Sequence, residues 1–465
     1  MPSLKEFIVS RIKDLPAFTM LASAALFLHA APSEAQSPGI TGYAGTSQAI
    51  LSSFCETADG GTIAAGYIQG TSTGPESTTY DALVVKFDAS GNMEWQKSYG
   101  KEGNDFAFAI TPADDGGYVV AGETYSFGAI QDDVLVFRID NAGGLVWAKR
   151  LGGTDEDWGV DVKRSANGGF VVLGNTRAGG TAEASSTYKL LLIGLDSRGE
   201  LLWQKSYGGS GDDLAYSLTR TKESEFIVTG ATGSFGGGGV NGVVMKTDAG
   251  GIIKWQKYFA TQGDDYLFCA TEASDGGYLV AGESFLEGKS TESNAWLVRL
   301  SETGGDEWQK AYGFGMNDYA MGVTNSGKHG FIIVGGTSTS SVFQESWAMK
   351  LDWSGKVKWK KSYDLTGNDI LYSVRSLDNG GFQAVGAFSA AEAASPFIVV
   401  SDKSGSPGSS CDAAKDSQIS RKWISAGSGL TGYVPSDPAL TSSGIKSSVT
   451  VTTVTLAGET VCGDN

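Results

Sequence analysis

Histidine and cysteine are scarce in this chain, and their scarcity removes most familiar catalytic chemistries. Two His occur in 465 residues, and the four Cys stand far apart at positions 55, 269, 411 and 462. No Ser-His-Asp set, zinc-ligand cluster or haem-attachment motif can be assembled from them. Paired carboxylates of the kind that cleave glycosides stay open, because acidic residues are plentiful. Basic residues are also in deficit, 35 Lys and Arg against 52 Asp and Glu, for a net charge of −17. An acidic surface repels phosphate backbones, so neither nucleic acid nor an anionic membrane is an expected partner. Proline is sparse at 10 residues, while Gly reaches 66 and aromatics 11 %. That balance is all-β rather than disordered.

Long apolar runs are missing, apart from one near the start. Lys5, Arg11 and Lys13 precede the run from Ala17 to Ala31, and Ser33-Glu34-Ala35 places small residues at −3 and −1 before Gln36. This pattern reads as a signal peptide over residues 1–35, and it implies export. No Cys follows closely, so a lipid anchor is not expected. Nothing later is apolar enough to span a bilayer.

What is present is a repeat. Asp-x-x-Gly recurs as Asp88/Gly91, Asp140/Gly143, Asp196/Gly199, Asp248/Gly251, Ser301/Gly304, Asp352/Gly355 and Asp402/Gly405, at intervals of 52, 56, 52, 53, 51 and 50 residues. Trp95, Trp147, Trp203, Trp255, Trp308 and Trp359 follow the first six copies at a near-constant offset. Each unit holds four strand-like runs. In the second these are Phe106 to Thr111, Gly117 to Gly122, Val134 to Ile139 and Leu145 to Leu151. The second run, GYVVAG, is apolar throughout, as a strand covered on both faces must be. Asp115-Gly116-Gly117 and Asp140-Asn141-Ala142-Gly143 between runs are turn chemistry.

Four antiparallel strands per fifty-odd residues predict a β-propeller. Seven units predict a seven-bladed β-propeller of four-stranded antiparallel blades over residues 36–405. The six Trp are the expected structural wedges between blades. The seventh unit lacks a fourth strand, since Gly405 is followed by Ser-Pro-Gly-Ser-Ser. Ile40-Thr41-Gly42-Tyr43-Ala44-Gly45 aligns with the end of a fourth strand such as Gln204-Lys205-Ser206-Tyr207-Gly208-Gly209. The N-terminal segment is therefore expected to complete the last blade and close the ring.

Residues 406–465 form a Ser/Thr-rich C-terminal extension with one expected strand, Val449 to Leu456. Cys411 and Cys462 bracket it, and in an exported chain a disulfide between them is expected. Cys55 and Cys269 fall on first strands of units that are not neighbours, and read as buried free thiols.

The run Asp88-Ala-Ser-Gly91-Asn-Met-Glu-Trp95 resembles the repeat of quinoprotein-dehydrogenase-like propellers. The whole unit, with its DGGYxVAG and WQKSYGGxGDD segments, is more similar to bacterial secreted β-propeller repeat proteins. That resemblance covers residues 38–405 and implies an exported binding or scaffold protein at the cell surface or beyond it, the periplasm being a further destination. A quinone-dependent enzyme is the alternative, but the chain lacks adjacent cysteines to cover such a cofactor.

Candidate binding residues lie in the loop before each first strand: Asp105, Asp157, Asp213, Asp265, Asp318 and Asp369, each preceded by Asn, Asp or Glu. A ring of carboxylates at a channel mouth would suit a cation such as Ca2+ through oxygen ligands. The competing reading is that each Asp satisfies backbone N–H groups in an inter-blade turn. No other cofactor is expected. The loops between second and third strands vary most, and binding specificity is expected there. One carries Ser234-Phe235-Gly236-Gly237-Gly238-Gly239, which is no phosphate loop because no helix is expected to follow it. His329 sits in a turn and reads as a surface residue. The expectation is thus a non-catalytic, monomeric module whose ligand is a protein or a glycan.

Overall fold

The computed structural model describes residues 39–44, 48–70, 79–177, 187–236, 239–285, 292–313, 315–338, 344–363, 365, 367–390 and 393–408, together with six short strands of the tail. The signal-peptide segment and Cys411 lie outside the described residues.

Chain order begins with β1 (Gly39–Ala44). The first unit is β2 (Ala49–Glu56), β3 (Thr62–Gln69), β4 (Tyr80–Phe87) and β5 (Met93–Gly100). The second is β6 (Asp105–Pro112), β7 (Tyr118–Thr124), β8 (Asp133–Ile139) and β9 (Leu145–Gly152). The next two are β10 (Asp157–Arg164), β11 (Phe170–Arg177), β12 (Tyr188–Leu195), β13 (Leu201–Tyr207), then β14 (Asp213–Arg220), β15 (Phe226–Thr232), β16 (Asn241–Thr247), β17 (Ile253–Ala260). They are followed by β18 (Asp265–Glu272), β19 (Tyr278–Phe285), β20 (Ser293–Leu300), β21 (Asp306–Gly313), then β22 (Asn317–Asn325), β23 (Phe331–Ser338), β24 (Gln344–Leu351), β25 (Val357–Tyr363). The last unit has only β26 (Asn368–Ser376), β27 (Phe382–Ala390) and β28 (Ala393–Val400) of its own. The tail supplies β29 (Ala414–Asp416), β30 (Ser420–Lys422), β31 (Gly427–Leu430), β32 (Thr441–Gly444), β33 (Thr450–Thr453) and β34 (Ala457–Gly463).

Within every unit the strands pair antiparallel in sequence order. The last unit is completed by β1, whose Gly39, Ile40, Thr41 and Gly42 lie opposite Val400, Val399, Ile398 and Phe397 of β28. β2 packs on β27 and β28, so the two ends of the chain meet and the ring closes as an all-β propeller.

The expectation of seven separate four-stranded blades beside a short appended extension is corrected. The described strands form six hydrogen-bonded sheets: four of five strands, one of four and one of ten. Two causes account for this. A parallel bridge between Ser293 and Asn317 fuses two neighbouring units into the ten-stranded sheet. The tail then adds outer strands: β29 on β25, β30 on β21, β31 on β17, β32 on β9, β33 on β5 and β34 on β1. It runs backwards around the rim as a belt, where the sequence suggested one strand. Backbone pairing of this kind needs no apolar pattern, which explains why composition concealed it.

The local chemistry explains the repeat. The Asp140 carboxylate accepts the N–H of Ala142 at 2.9 Å and of Gly144 at 2.7 Å, which fixes the turn that Gly143 completes at φ +73°. In the fifth copy Ser301 does the same work with its hydroxyl, which accepts Gly305 N–H at 2.8 Å. The turn glycine also seats the Trp of the preceding unit. A Cβ on Gly199 would lie 2.8 Å from the Trp147 ring, and one on Gly405 2.7 Å from the Trp359 ring. Trp147 and Trp359 donate their indole N–H to Ser197 and Lys403 carbonyls at 3.3 and 3.1 Å. Lys97, two residues after Trp95, donates to the Ala142 carbonyl of the next turn at 2.6 Å. Asp, Gly and Trp thus recur together because they form one inter-blade joint.

The apolar second and third strands face a neighbour on both sides. Tyr118, Val120, Leu135 and Phe137 pack toward the first unit, while Val119, Ala121, Val134 and Val136 pack toward the third. Each such side chain contributes about 1.5–3 kcal/mol by leaving water, less for the alanines.

Candidate functional site

Every inner strand carries a β-bulge at the same place. Register shifts fall between Leu51/Ser53, Ala107/Ala109, Gly159/Asp161, Ala215/Ser217, Leu267/Cys269, Ala320/Gly322 and Leu371/Ser373. The extra residue in each is Ser52, Phe108, Val160, Tyr216, Phe268, Met321 or Tyr372, and all of them line a central cavity of about 450 Å³. A bulge re-aims a side chain that a regular ladder would pair. The glycine of each second strand makes the bulge possible. A Cβ on Gly122 would meet the Phe106 carbonyl at 1.8 Å, and one on Gly282 the Tyr266 carbonyl at 1.9 Å. The glycine ending GYVVAG is therefore a site determinant.

The cavity wall is mainly aromatic and aliphatic, with few polar groups. Tyr216 meets Phe268 edge-on at 5.3 Å, and Phe268 stacks with Tyr266 at 6.1 Å. Two glutamates line the cavity, Glu123 at 7 % and Glu283 at 1 % exposure. Asp161 and Lys163 also line it and pair with each other at 2.5 Å. Cys269 lies in the wall, and burial pushes its thiol well above the ordinary value. Both Cys55 and Cys269 are free, Cys269 buried and Cys55 half-buried.

The loops between second and third strands share a mouth with the acidic loops. Tyr125 N–H donates to the Asn104 carbonyl at 2.7 Å, Gly233 to Asp212 at 2.6 Å, and Phe285 to Asp264 at 3.0 Å. Gly237 and Gly238 of the glycine-rich run lie outside the described residues.

Asp105, Asp157, Asp213, Asp265, Asp318 and Asp369 sit at this mouth but inside the wall, each at most 1 % exposed. Their carboxylates accept backbone N–H groups a few residues upstream: Lys101, Gly153, Gly209, Thr261, Gly315 and Leu365. Hydroxyls add to this; Ser126 donates to Asp105 at 2.8 Å and Ser234 to Asp213 at 2.7 Å. Burial outweighs these donors and raises Asp105 and Asp265 to about 6 and Asp157 to about 7. In four of the six the preceding residue is a second latch: Asn104, Asp212, Asp264 and Asn368 accept the N–H of Tyr80, Tyr188, Val240 and Gln344 in the preceding unit at 2.9–3.0 Å. Among the described residues no group of three or more His, Cys, Asp and Glu could hold a metal ion. His329 is exposed at the end of a single 3-10 turn.

Sequence reasoning placed attention on the mouth and missed the cavity wall. A signal was present. The position after each second-strand glycine reads Tyr67, Glu123, Asn175, Ala231, Glu283, Gly336 and Ala387, so two acids interrupt an otherwise uncharged column.

The fold defines a β-propeller repeat protein, on the evidence of strand order and pairing. No protein-family profile matches the chain. It is 27 % identical over 207 residues to the regulatory protein FlaEY of Caulobacter vibrioides, which is 42 % of this chain and 21 % of that one; the chain thus spans about a fifth of that relative's length. Among solved structures it is similar to the Pan2 WD40 domain of Neurospora crassa, with TM-score 0.43 and 12 % identity, over 76 % of this chain and 90 % of that one. It is also similar to Sqt1 of Chaetomium thermophilum, with TM-score 0.44 and 10 % identity, over 83 % and 90 %. An α-L-arabinofuranosidase from Fusarium graminearum gives TM-score 0.38 and 11 % identity, over 76 % and 93 %. No helix among the described residues is long and apolar enough to cross a membrane.

Proposed function

We propose that this chain is an exported, non-catalytic binding module, and that its ligand enters the central cavity from the loop-bearing mouth. The observation that carries the reading is the cavity itself: about 450 Å³, walled by one bulged residue from every inner strand. That volume and its largely apolar wall with few polar groups match a small-ligand site. The repeated Asp residues frame the mouth as backbone latches, and direct cation binding by them is the weaker use of their chemistry because each already accepts a backbone N–H, and Asp105 and Asp213 a hydroxyl as well. Export follows from the Lys5-to-Ala35 pattern, and the N-terminal sequence of the chain recovered from the bacterial medium or periplasm tests it.

The site is tested by screening glycans, peptides and small molecules against the full chain by thermal shift, with Val160→Trp as the blocked control. Val160 projects from a bulge and is only half-buried, so the larger ring fills space without disturbing a blade joint. A ligand bound by the wild type and lost in the variant supports the reading. A ligand bound equally by both moves the site elsewhere.

A further inference from the structure

We infer that the central cavity takes a neutral aromatic ring compound, seated in the corner that Tyr216 and Phe268 form. This rests on the proposed use of the cavity as the binding site and adds the chemical class of its ligand. Three observations converge. First, of the seven inner strands only β6 and β18 carry an aromatic residue both at the bulge and two residues before it: Phe106 with Phe108, and Tyr266 with Phe268. Each pair is stacked, with ring centroids 6.0 and 6.1 Å apart and planes within 4° and 10° of parallel. Phe106 and Tyr266 are buried, whereas Phe108 and Phe268 are half-buried and line the cavity. Each ladder therefore ends on a ring that a further ring can join. Second, Tyr216 turns the end of the β18 ladder into a corner, meeting Phe268 at 5.3 Å between centroids with planes at 63°. The hydroxyl oxygens of Tyr216 and Tyr372 are buried in the wall, so both residues offer the cavity their rings rather than their phenol groups. A sugar finds few polar partners here. The Ser52 hydroxyl is turned onto the Ala65, Ala107 and Phe108 carbonyls at 3.1–3.2 Å, and Thr219 donates to the Ala270 carbonyl at 2.7 Å. Third, the charged side chains of the wall are engaged. Lys163 pairs with Asp161, whose other oxygen accepts the Leu218 N–H at 2.8 Å, and Glu123 and Glu283 have partners of their own. A charged ligand would lose its water without gaining an uncommitted counter-charge among the described residues, whereas a neutral ring loses little.

The experiment titrates four probes, benzyl alcohol, cyclohexylmethanol, benzylammonium and benzoate, into the full chain and follows binding by ligand-observed NMR. The two alcohols share size and hydroxyl and differ in aromaticity; the two ions keep the aromatic ring and add charge of either sign. The expected result is saturable benzyl alcohol binding, roughly threefold to tenfold tighter than that of cyclohexylmethanol and roughly tenfold or more tighter than that of either ion. Phe268→Leu keeps apolar bulk at the bulge and is expected to abolish the aromatic preference. Tyr216→Leu removes the other side of the corner and serves as the second variant, with an unchanged unfolding midpoint showing that the blades are intact. Equal binding of the two alcohols overturns the aromatic selectivity and leaves the cavity standing as a site. Binding of either ion as tight as that of benzyl alcohol overturns the neutral class. A preference retained in both Leu variants overturns the corner as the seat, and benzyl alcohol binding unchanged in Val160→Trp overturns the cavity as its location. Absence of benzyl alcohol binding to the wild type overturns this inference alone, because the ligand screen tests the cavity independently.

Discussion

Two joints in the ring are built from the same four-strand plan and held by different chemistry. In the second unit β8 and β9 pair over six residue positions, and Trp147 carries the contact to the next unit by lying on Gly199 and donating to Ser197. At the seam β28 and β1 pair over four positions, and β1 brings no Trp. Tyr43 takes its place against Phe87, with ring centroids 5.1 Å apart, and Ile40 is buried beside Leu371 and Val399. The seam is compensated from outside, where β34 pairs along the whole of β1. A joint within one continuous stretch of chain uses a side-chain wedge; the joint between chain ends uses backbone pairing on both edges of one short strand.

The largest effect that separates the two joints comes from removing β1. Deleting residues 39–44 exposes the faces that Ile40 and Tyr43 cover and costs about 3–6 kcal/mol from those two side chains alone. Chemical denaturation is expected to show loss of a single cooperative transition, and unchanged unfolding would break the comparison. Next comes Trp147→Ala, which empties the ordinary joint and costs about 3 kcal/mol. Gly122→Ala costs roughly 2–3 kcal/mol, because its methyl would meet the Phe106 carbonyl and force the bulge open. That variant is also expected to disturb the cavity, which a lost ligand response reports.

A smaller effect is pH-dependent. Asp157 is raised to about 7, and Asp105 and Asp265 to about 6, chiefly by burial. In this direction the folded state holds protons that the unfolded chain releases near pH 4. Stability from these groups is therefore present below about pH 4 and lost as pH rises toward 6 to 7. Asp157→Asn is expected to flatten that slope relative to the wild type in urea unfolding at a series of pH values; an identical slope contradicts it. The smallest effect is truncation after Gly408, which strips the belt but leaves each inner unit intact. Thermal unfolding is expected to shift less than on deletion of β1, through loss of the β34 pairing at the seam, while the bared strand edges promote self-association seen by light scattering.

The repeat, its four-strand content and the closing role of residues near 40 were legible because each leaves a side-chain signature: Asp and Gly at turns, Trp at joints, continuous apolar runs in strands covered twice. The boundaries of the sheets were not, because the Ser293–Asn317 bridge and the belt strands are backbone events. The bulges were hidden for a related reason. Residues as unlike as Ser52, Val160 and Tyr216 occupy one structural position, so no residue type marks it, and only the recurrent glycine on the partner strand does. Cys411 lies outside the described residues, and its pairing with Cys462 rests on the sequence argument alone.

The seam is tested most directly by a cysteine pair across it. Thr41 and Ile398 are opposite in the β1–β28 register, a spacing within reach of a disulfide. Oxidation of Thr41→Cys with Ile398→Cys is predicted to give an intramolecular cross-link between those two peptides by mass spectrometry, with none for Thr41→Cys paired with Lys403→Cys. Free thiols in the first pair, or cross-links only between molecules, would contradict closure of the ring by its own N-terminus.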